Sequence, residues 1–390
     1  MHVVLVSTGV VRIPPRTGGA VESYVWDLAQ MLNASGVRVS LVSHHHPDSI
    51  DPRERGIEFV PTPSPIDRFP LRPEASALAH FVGGTAVSVA TRLYLSRESE
   101  GIDRGQLVLH LNEEVSAFVL SRTVRRAVKI LTIHNPPVAL SPSEIGGVER
   151  FVRGIGSLTT LRFALPHVDR VVALSSPMGR FLEENWNVDS DRIAVLPLPV
   201  DTRLFQPAAE TDRVPRGLLF VGRLEDRKNP AELIRCLANS PPDVTLTIVG
   251  RGPLESELRT QARSAGVSDR VRMVHGVSVE QLVRLYQTAR ALVLPSCLEV
   301  YPRVVIEAAA CGLPVLLPSA PIYEDFVAAG FVSTHLAGDN RSLTESALRM
   351  VTDDRAWRAQ SQAARRFAVE QLSYPMYVQK LLRVYRGAAV

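Results

Sequence analysis

The chain has 390 residues, of which 45% are hydrophobic and 22% charged, a composition typical of folded proteins with two or three domains. Its three cysteines, Cys236, Cys297 and Cys311, form no Cys-x-x-Cys pair, which argues against a disulfide framework or structural zinc site and indicates a reducing compartment. The net charge of +4 comes without an aromatic-rich basic stripe, so it favours a phosphate pocket over a nucleic-acid track. Because the sequence enters a strand pattern directly, without a signal peptide, and no uninterrupted apolar run reaches the roughly 20 residues of a membrane span, we expect a cytoplasmic protein.

Short apolar strands alternate with helices through the first 200 residues, which is the pattern of a parallel sheet covered on both faces. Residues 61–73 carry five prolines and are predicted to form a surface loop. We therefore predict a doubly wound α/β domain over residues 1–200. Its strands are predicted at residues 2–7, 37–43, 107–111, 130–133 and 171–174, with the first helix at 20–33.

The same alternation restarts after an irregular segment, residues 201–215, which we predict to be a linker. A second doubly wound domain is predicted over residues 216–372, followed by a closing helix within residues 373–390. Its strands are predicted at 217–221, 244–249, 271–275, 291–294 and 314–317, with helices at 231–237, 254–265, 279–289 and 302–310. Open parallel sheets bind ligands at the carboxyl ends of their strands, so functional residues are expected in the loops there.

Two carboxylates, Glu299 and Glu307, flank a predicted helix start at Pro302. The first turn of a helix offers backbone N–H groups to a diphosphate, and a carboxylate on each side can accept sugar or ribose hydroxyls. Taken alone, this spacing is also consistent with two ordinary surface carboxylates that bind no ligand. Arg223 and Lys228 follow the first strand of the same domain, where basic side chains can neutralise a diphosphate.

Together these segments resemble family 4 of the retaining glycosyltransferases with the GT-B architecture. The resemblance covers almost the whole chain. It implies two Rossmann-like domains facing across a cleft, with the donor in the C-terminal domain and the closing helix crossing back to the first. The motifs that carry it are Gly18-Gly19, His134-Asn135, Gly222-Arg223 through Lys228, Gly250-Arg251-Gly252-Pro253, and Glu299 through Gly312.

The resemblance also implies roles for individual residues. Glu299 would bind the transferred sugar and His134 would lie beside the reacting face of that sugar, so both are predicted to be catalytic residues. The other predicted donor-site residues are Gly18, Gly19, Arg223, Lys228 and Arg303 for the diphosphate, Val300 and Tyr301 for the sugar, and Glu307, Gly250 and His275 for the nucleoside. None of these roles needs a metal ion or a cofactor, because the nucleotide sugar is a co-substrate.

The chain departs from the family pattern in two loops. Where the family usually has Gly-Phe-Gly after the first glutamate, this chain reads Val300-Tyr301-Pro302-Arg303. Pro302 lacks an N–H, so one donor to the sugar or phosphates is displaced, and Arg303 is expected to compensate with its charge. The linker reads Pro197-Leu198-Pro199-Val200-Asp201 in place of Pro-Asn-Gly-Val-Asp, which affects the expected hinge geometry.

Weaker signals concern the acceptor, metals and membranes. His44, His45, Asn112 and Glu113 follow strands of the first domain and are acceptor-site candidates, although ordinary surface loops explain them equally well. Three consecutive histidines at 44–46 point alternately to opposite faces, and the Asp189-Ser190-Asp191 segment fits a polar turn, so no metal site is predicted. A basic cluster near residue 125 leaves contact with anionic lipid open without favouring it, because cations at a helix C-terminus are stabilising anyway. This cluster consists of Arg122, Arg125, Arg126 and Lys129.

We predict a retaining, metal-independent transfer of a hexose-type sugar from a nucleotide diphosphate donor, with uridine diphosphate the commonest in similar proteins, to a small polar acceptor. No carboxylate nucleophile is evident in the first domain, so front-side attack with His134 as an orienting group is the preferred mechanism. A nicotinamide-dependent dehydrogenase is disfavoured, because no Gly-x-Gly-x-x-Gly follows the first strand. A non-catalytic nucleotide-sugar binding protein and a lipid-acceptor transferase at a membrane surface remain alternatives.

Overall fold

The computed structural model describes residues 1–9, 11–14, 19–44, 51–62, 77–98, 104–134, 160–208, 216–296, 299 and 301–387. The chain divides into two compact units. Unit 1 comprises Met1–Pro197 together with Tyr377–Val390, and unit 2 comprises Leu198–Met376. Unit 1 is therefore assembled from both ends of the sequence.

The described strands of unit 1 form one parallel sheet in the order β3-β2-β1-β4-β5-β6-β7. Strands β1 and β4 are buried along their whole length, as expected when helices cover both faces of a parallel sheet. The strands are β1 His2–Val6, β2 Arg38–Ser43, β3 Glu58–Pro61, β4 Leu107–Leu111, β5 Val128–Ile133, β6 Arg170–Ala173 and β7 Ile193–Val195, and the helices include α1 Ala20–Ala34, α2 Ala77–Glu98, α3 Glu114–Thr123 and α4 Ser176–Trp186.

The described strands of unit 2 form a second parallel sheet in the order β10-β9-β8-β11-β12-β13. Its strands are β8 Gly217–Val221, β9 Thr245–Val249, β10 Val271–Val274, β11 Ala291–Val293, β12 Val315–Pro318 and β13 Val332–His335. The helices that follow in the chain include α5 Ala231–Ala238, α6 Glu255–Ser264, α7 Val279–Thr288, α8 Arg303–Ala310, α9 Glu324–Ala328, α10 Asn340–Thr352, α11 Asp354–Phe367 and α12 Tyr374–Tyr385. Helix α12 begins in unit 2 and continues into unit 1.

Both sheets reverse their strand order once. The reversal lies between β1 and β4 in unit 1 and between β8 and β11 in unit 2. Such a switch point opens a crevice at the carboxyl ends of the two strands, which is where doubly wound sheets bind ligands. The predicted pair of Rossmann-like α/β units is thus confirmed, and each unit has one place where a site is expected.

Candidate active site

An ion pair occupies the switch point of unit 2. Lys228 lies in a short turn after β8, Glu299 lies beyond β11, and the Lys228 Nζ donates a hydrogen bond to Glu299 Oε1. Their side chains are only 19% and 11% exposed. Strands β8 and β11 are neighbours, so two residues 71 positions apart in the chain meet at one edge of the sheet. The structure therefore brings the predicted diphosphate-binding cation and the predicted sugar-binding carboxylate together.

Glu307 is held in a fixed orientation on α8. The hydroxyl of Tyr286, on α7, donates a hydrogen bond of 2.9 Å to Glu307 Oε2, and the Arg303 Nε lies 3.9 Å from Oε1. Burial beside this carboxylate raises the pKa of Tyr286 well above its usual value, so the hydroxyl keeps its proton. Sequence reasoning missed Tyr286, although a buried tyrosine hydroxyl normally needs a hydrogen-bond partner.

Replacing Tyr286 with phenylalanine is expected to raise the KM for the predicted nucleotide donor about tenfold to a hundredfold, since a hydrogen bond to a charged group contributes about 1.5–3 kcal/mol. The reason is that Glu307 Oε2 loses the donor that fixes its direction. Tyr94→Phe is a suitable control, because it also removes a tyrosine hydroxyl with a hydrogen bond, at 2.8 Å to Ser40, but in unit 1. Steady-state kinetics of both variants test this, and an equal KM in the two would contradict it.

The glycine loops after β8 and β9 touch each other. Gly250 has a φ of +153°, and a Cβ placed there would overlap the carbonyl oxygen of Gly222. His275, after β10, donates from Nδ1 to the Gly250 carbonyl at 2.7 Å, and its Nε2 lies 3.0 Å from Glu255 Oε1. The Nδ1 hydrogen bond of His275 therefore holds this loop at the Gly250 carbonyl.

The remaining predicted donor-site residues lie in different surroundings. The Arg223 side chain is largely exposed, with its Nε 3.3 Å from Glu225 Oε2. Tyr301 is buried against the ring of Phe326, with centroids 4.8 Å apart, and its hydroxyl has no hydrogen-bond partner among the described residues. Val300 lies outside the described residues.

In unit 1, His134 lies at the end of β5, two strands from β1. Its Nε2 donates a hydrogen bond of 3.2 Å to Asn112 Oδ1, and the Asn112 amide in turn donates to the Val6 carbonyl at 3.0 Å. Burial lowers the pKa of His134 to about 3, so the imidazole is neutral. With the proton on Nε2, the lone pair of Nδ1 is an acceptor, which suits a group that orients a hydroxyl.

A buried chain of hydroxyl and imidazole groups lies behind His134. The Tyr24 ring packs edge-on against the His134 ring at 5.1 Å, and the Tyr24 hydroxyl is 2.6 Å from that of Tyr377 on α12. Tyr24 is also hydrogen-bonded to Thr132. Sequence reasoning missed this network, because the residues belong to α1, β5 and α12 and only the fold brings them together.

The same network reaches a second tyrosine of α12 through His110. The His110 Nε2 is 2.7 Å from Thr132 Oγ1, and its Nδ1 is 2.6 Å from the Tyr385 hydroxyl. Burial lowers the pKa of His110 to about 3, so it is a neutral link that donates at one nitrogen and accepts at the other. Helix α12 is thus hydrogen-bonded to α1 through Tyr377 and to strand β4 through Tyr385.

The N-terminus of α1 already holds a carboxyl group. Gly19 precedes the helix with a φ of +79°, and a Cβ there would lie 2.8 Å from Glu22 Oε2. Glu22 is buried, accepts hydrogen bonds from the Thr8 hydroxyl and the Val11 backbone, and has its pKa raised by burial. The neighbouring Gly18 lies outside the described residues.

Two acceptor candidates are engaged in contacts within unit 1. The His44 Nε2 is 2.6 Å from the Gly9 carbonyl, and its Nδ1 is 2.6 Å from the Thr62 hydroxyl. Glu113 caps α3 by accepting hydrogen bonds from the next backbone N–H groups, and burial raises its pKa to about 8. The structure therefore brings Asn112, but not His44 or Glu113, into contact with His134. His45 lies outside the described residues.

Two family models match successive parts of the chain. The model described as Glycosyltransferase Family 4 matches residues 17–204, and the model described as Glycosyl transferases group 1 matches residues 205–367. The chain belongs to the family 4 glycosyltransferases of the GT-B type, as the resemblance predicted. This places unit 1 largely in the first match and unit 2 largely in the second.

Curated relatives agree with this family. The D-inositol 3-phosphate glycosyltransferase of Nocardiopsis dassonvillei is 32% identical over 239 residues, which cover 56% of each chain, so the match spans about half of that relative. The glycogen synthase of Mycobacterium tuberculosis is 25% identical over 406 residues, covering 100% of this chain and 95% of the relative. These names describe the relatives, which are all sugar transferases.

Solved structures support the fold. The sucrose-phosphate synthase of Thermosynechococcus elongatus has a TM-score of 0.78 at 20% identity, covering 99% of this chain and 98% of its own. HepE of Anabaena, solved in complex with UDP, has a TM-score of 0.71 at 16% identity, covering 98% of both chains. At such identities the likeness shows the GT-B fold, and substrates have to be argued from this chain's own residues.

Proposed function

We propose that the chain is a retaining, metal-independent glycosyltransferase that moves a hexose-type sugar from a UDP-sugar to a hydroxyl of a small polar acceptor. The observation that carries this proposal is the Lys228–Glu299 ion pair at the switch point of unit 2. The UDP bound in HepE supports the choice of donor. The D-inositol 3-phosphate glycosyltransferases make a cyclitol or its phosphate the first acceptor to test.

Binding of the donor diphosphate is explained by the charges of the site. A bound diphosphate competes with Glu299 for Lys228, since two phosphates carry more negative charge than one carboxylate. The first turn of α8, which carries Arg303, adds helix-end N–H groups beside this charge. Once Glu299 is released from Lys228, its carboxylate accepts hydrogen bonds from hydroxyls of the sugar. Glu307 accepts hydrogen bonds from the ribose hydroxyls. These groups stabilise the negative charge that grows on the leaving diphosphate.

The transfer step needs no protein nucleophile. The bond between the anomeric carbon and the diphosphate oxygen breaks, the acceptor oxygen bonds to the same face of that carbon, and the acceptor proton passes to the departing phosphate. Neutral His134 offers Nδ1 as an acceptor that orients a sugar hydroxyl.

The function is tested by thermal shift and transfer assays against a panel of nucleotide sugars, with chelator present throughout. We expect one donor to stabilise the wild type and to be turned over with a cyclitol acceptor, giving a product of unchanged anomeric configuration by NMR. Glu307→Ala should lose the donor-induced shift, whereas Glu280→Ala, on the exposed side of α7, should keep it. An inverted product would exclude the front-side mechanism, and donor binding without turnover would favour a binding protein.

Tyr377→Phe is expected to lower kcat about threefold to tenfold with little change in the donor KM, because a neutral hydrogen bond contributes about 0.5–1.5 kcal/mol. The loss removes the hydroxyl contact that fixes Tyr24, whose ring packs on His134. Tyr385→Phe is the matched control, since it removes a hydroxyl of the same helix and the same network but at His110. Kinetics and Tm of both variants decide between positioning and stability, and equal kcat values in the two variants would contradict the positioning role.

A further inference from the structure

A buried serine makes a second link between the two segments that carry Lys228 and Glu299. Ser296 follows strand β11 and comes shortly before Glu299 in the chain, and only 1% of its surface is exposed. Its hydroxyl donates a hydrogen bond of 3.0 Å to the main-chain carbonyl of Arg227, in the short turn that ends at Lys228. Because this bond uses the main chain of Arg227, it does not depend on either charged side chain of the ion pair.

The main-chain carbonyl of Ser296 is held as well. The hydroxyl of Tyr323, a completely buried residue that follows strand β12, donates to this carbonyl at 3.0 Å. Strands β8, β11 and β12 are consecutive neighbours in the sheet of unit 2. One serine therefore connects the segments at the carboxyl ends of three adjacent strands, at the edge of the sheet where ligands bind.

The ion pair and the serine respond differently to a bound phosphate. A diphosphate that binds Lys228 competes with Glu299 for the same ammonium group and separates the two side chains. The hydrogen bonds of Ser296 join neutral groups, since a serine hydroxyl and a tyrosine hydroxyl each donate to a main-chain carbonyl. A phosphate finds no charge to attract there, so these bonds persist when the ion pair opens.

We propose that Ser296 is a positioning residue, which keeps the Lys228 turn and the end of β11 together while the donor diphosphate separates Lys228 from Glu299. This role rests on the proposed function, because it takes Lys228 as the cation that binds the diphosphate. Without the serine hydroxyl the donor itself has to order the two segments, and the free energy of that ordering is subtracted from binding. Once bound, the donor contacts both segments, so the reaction in the complex changes much less.

The role is tested on the full chain with UDP as the probe. Ser296→Ala is expected to weaken UDP binding about threefold to tenfold in isothermal titration, the usual effect of losing one neutral hydrogen bond. In transfer assays the donor KM should rise by a similar factor while kcat stays within about twofold, because the loss falls on binding. Tyr323→Phe, which removes the hydrogen bond to the Ser296 carbonyl, is a second variant and should change UDP binding in the same direction.

Ser346→Ala is the matched control. Ser346 is also buried, and its hydroxyl donates to a main-chain carbonyl, that of Thr334 at 3.2 Å. This bond joins α10 to strand β13 at the edge of the sheet, away from β8 and β11. Ser346→Ala should therefore lower Tm about as much as Ser296→Ala does, but it should bind UDP as the wild type does.

The outcomes separate a positioning role from a structural one. Equal UDP affinities in Ser296→Ala and Ser346→Ala would overturn the proposal, as would a Tyr323→Phe variant that binds UDP like the wild type. A lower kcat of Ser296→Ala at an unchanged KM would also overturn it, because that pattern indicates fewer active molecules rather than weaker binding. A wild type that neither binds UDP nor transfers sugar would instead contradict the proposed function, and this role of Ser296 would fall with it.

Discussion

Lys228→Met is expected to lower kcat/KM for sugar transfer by about a hundredfold to a thousandfold, the usual effect of removing a group that stabilises developing negative charge. Methionine keeps most of the length and the apolar stem of lysine but removes the charge that the leaving diphosphate needs. Glu299 loses its ion-pair partner as well. Because this carboxylate is only 11% exposed, a small fall in Tm should accompany the kinetic loss.

The neighbouring arginine provides the control for Lys228. Arg227 lies in the same short turn and donates to Glu225 at 2.9 Å, with its side chain 46% exposed. Arg227→Met removes one positive charge from the same loop, so it corrects for any general change in electrostatics. We expect kcat/KM to change less than about threefold, as for other exposed ion pairs. Equal losses in the two variants would show that Lys228 has no specific role at the diphosphate.

Gly250→Ala is expected to destabilise unit 2 by about 3 kcal/mol or more, and so to lower both Tm and donor binding. The methyl group would meet the Gly222 carbonyl oxygen, which is backbone and cannot rotate away. The φ of +153° adds strain for any side chain. The two glycine loops would have to separate, and the turn that leads to Arg223 and Lys228 would move with them.

Gly266 provides a control that distinguishes the effect of the steric clash at Gly250 from the effect of a positive φ alone. Gly266 has a φ of +66°, but nothing lies within 4 Å of a Cβ placed there. Gly266→Ala should therefore cost only about 1–2 kcal/mol, the price of the left-handed conformation alone. Thermal unfolding of both variants, with and without the donor, measures the difference. Equal Tm values would show that the loop relaxes and that its close packing does not matter to the site.

The alternation of strands and helices was enough to predict the fold. Each predicted strand is short, apolar and bounded by turns, and burial on both faces leaves little ambiguity for such segments. Helix α2 was not predicted, because it is apolar on both sides and so shows no helical period. Strand β3, with only four residues at the sheet edge beside the proline-rich stretch, gives too weak a signal.

The motifs were enough to predict the candidate donor residues near the ends of strands. The contacts between side chains that are distant in the sequence could not be predicted from it. The contact between Lys228 and Glu299 follows from the adjacency of β8 and β11, which is set by topology rather than by spacing. Tyr286 and Tyr377 carry no motif, and only burial of their hydroxyls shows that they are hydrogen-bonded. The roles of the candidate residues in binding and catalysis stay predictions until the variants are measured.

The discontinuous make-up of unit 1 has a consequence for synthesis on the ribosome. The sheet of unit 1 is complete after residue 197, but His110 and Tyr24 find partners on α12, whose residues emerge only after the whole of unit 2. Until then these two groups lack those hydrogen bonds, which is costly inside an apolar core. The last contacts of unit 1 therefore form only after residues 198–376 have been synthesised, although the strands of its sheet are translated before them.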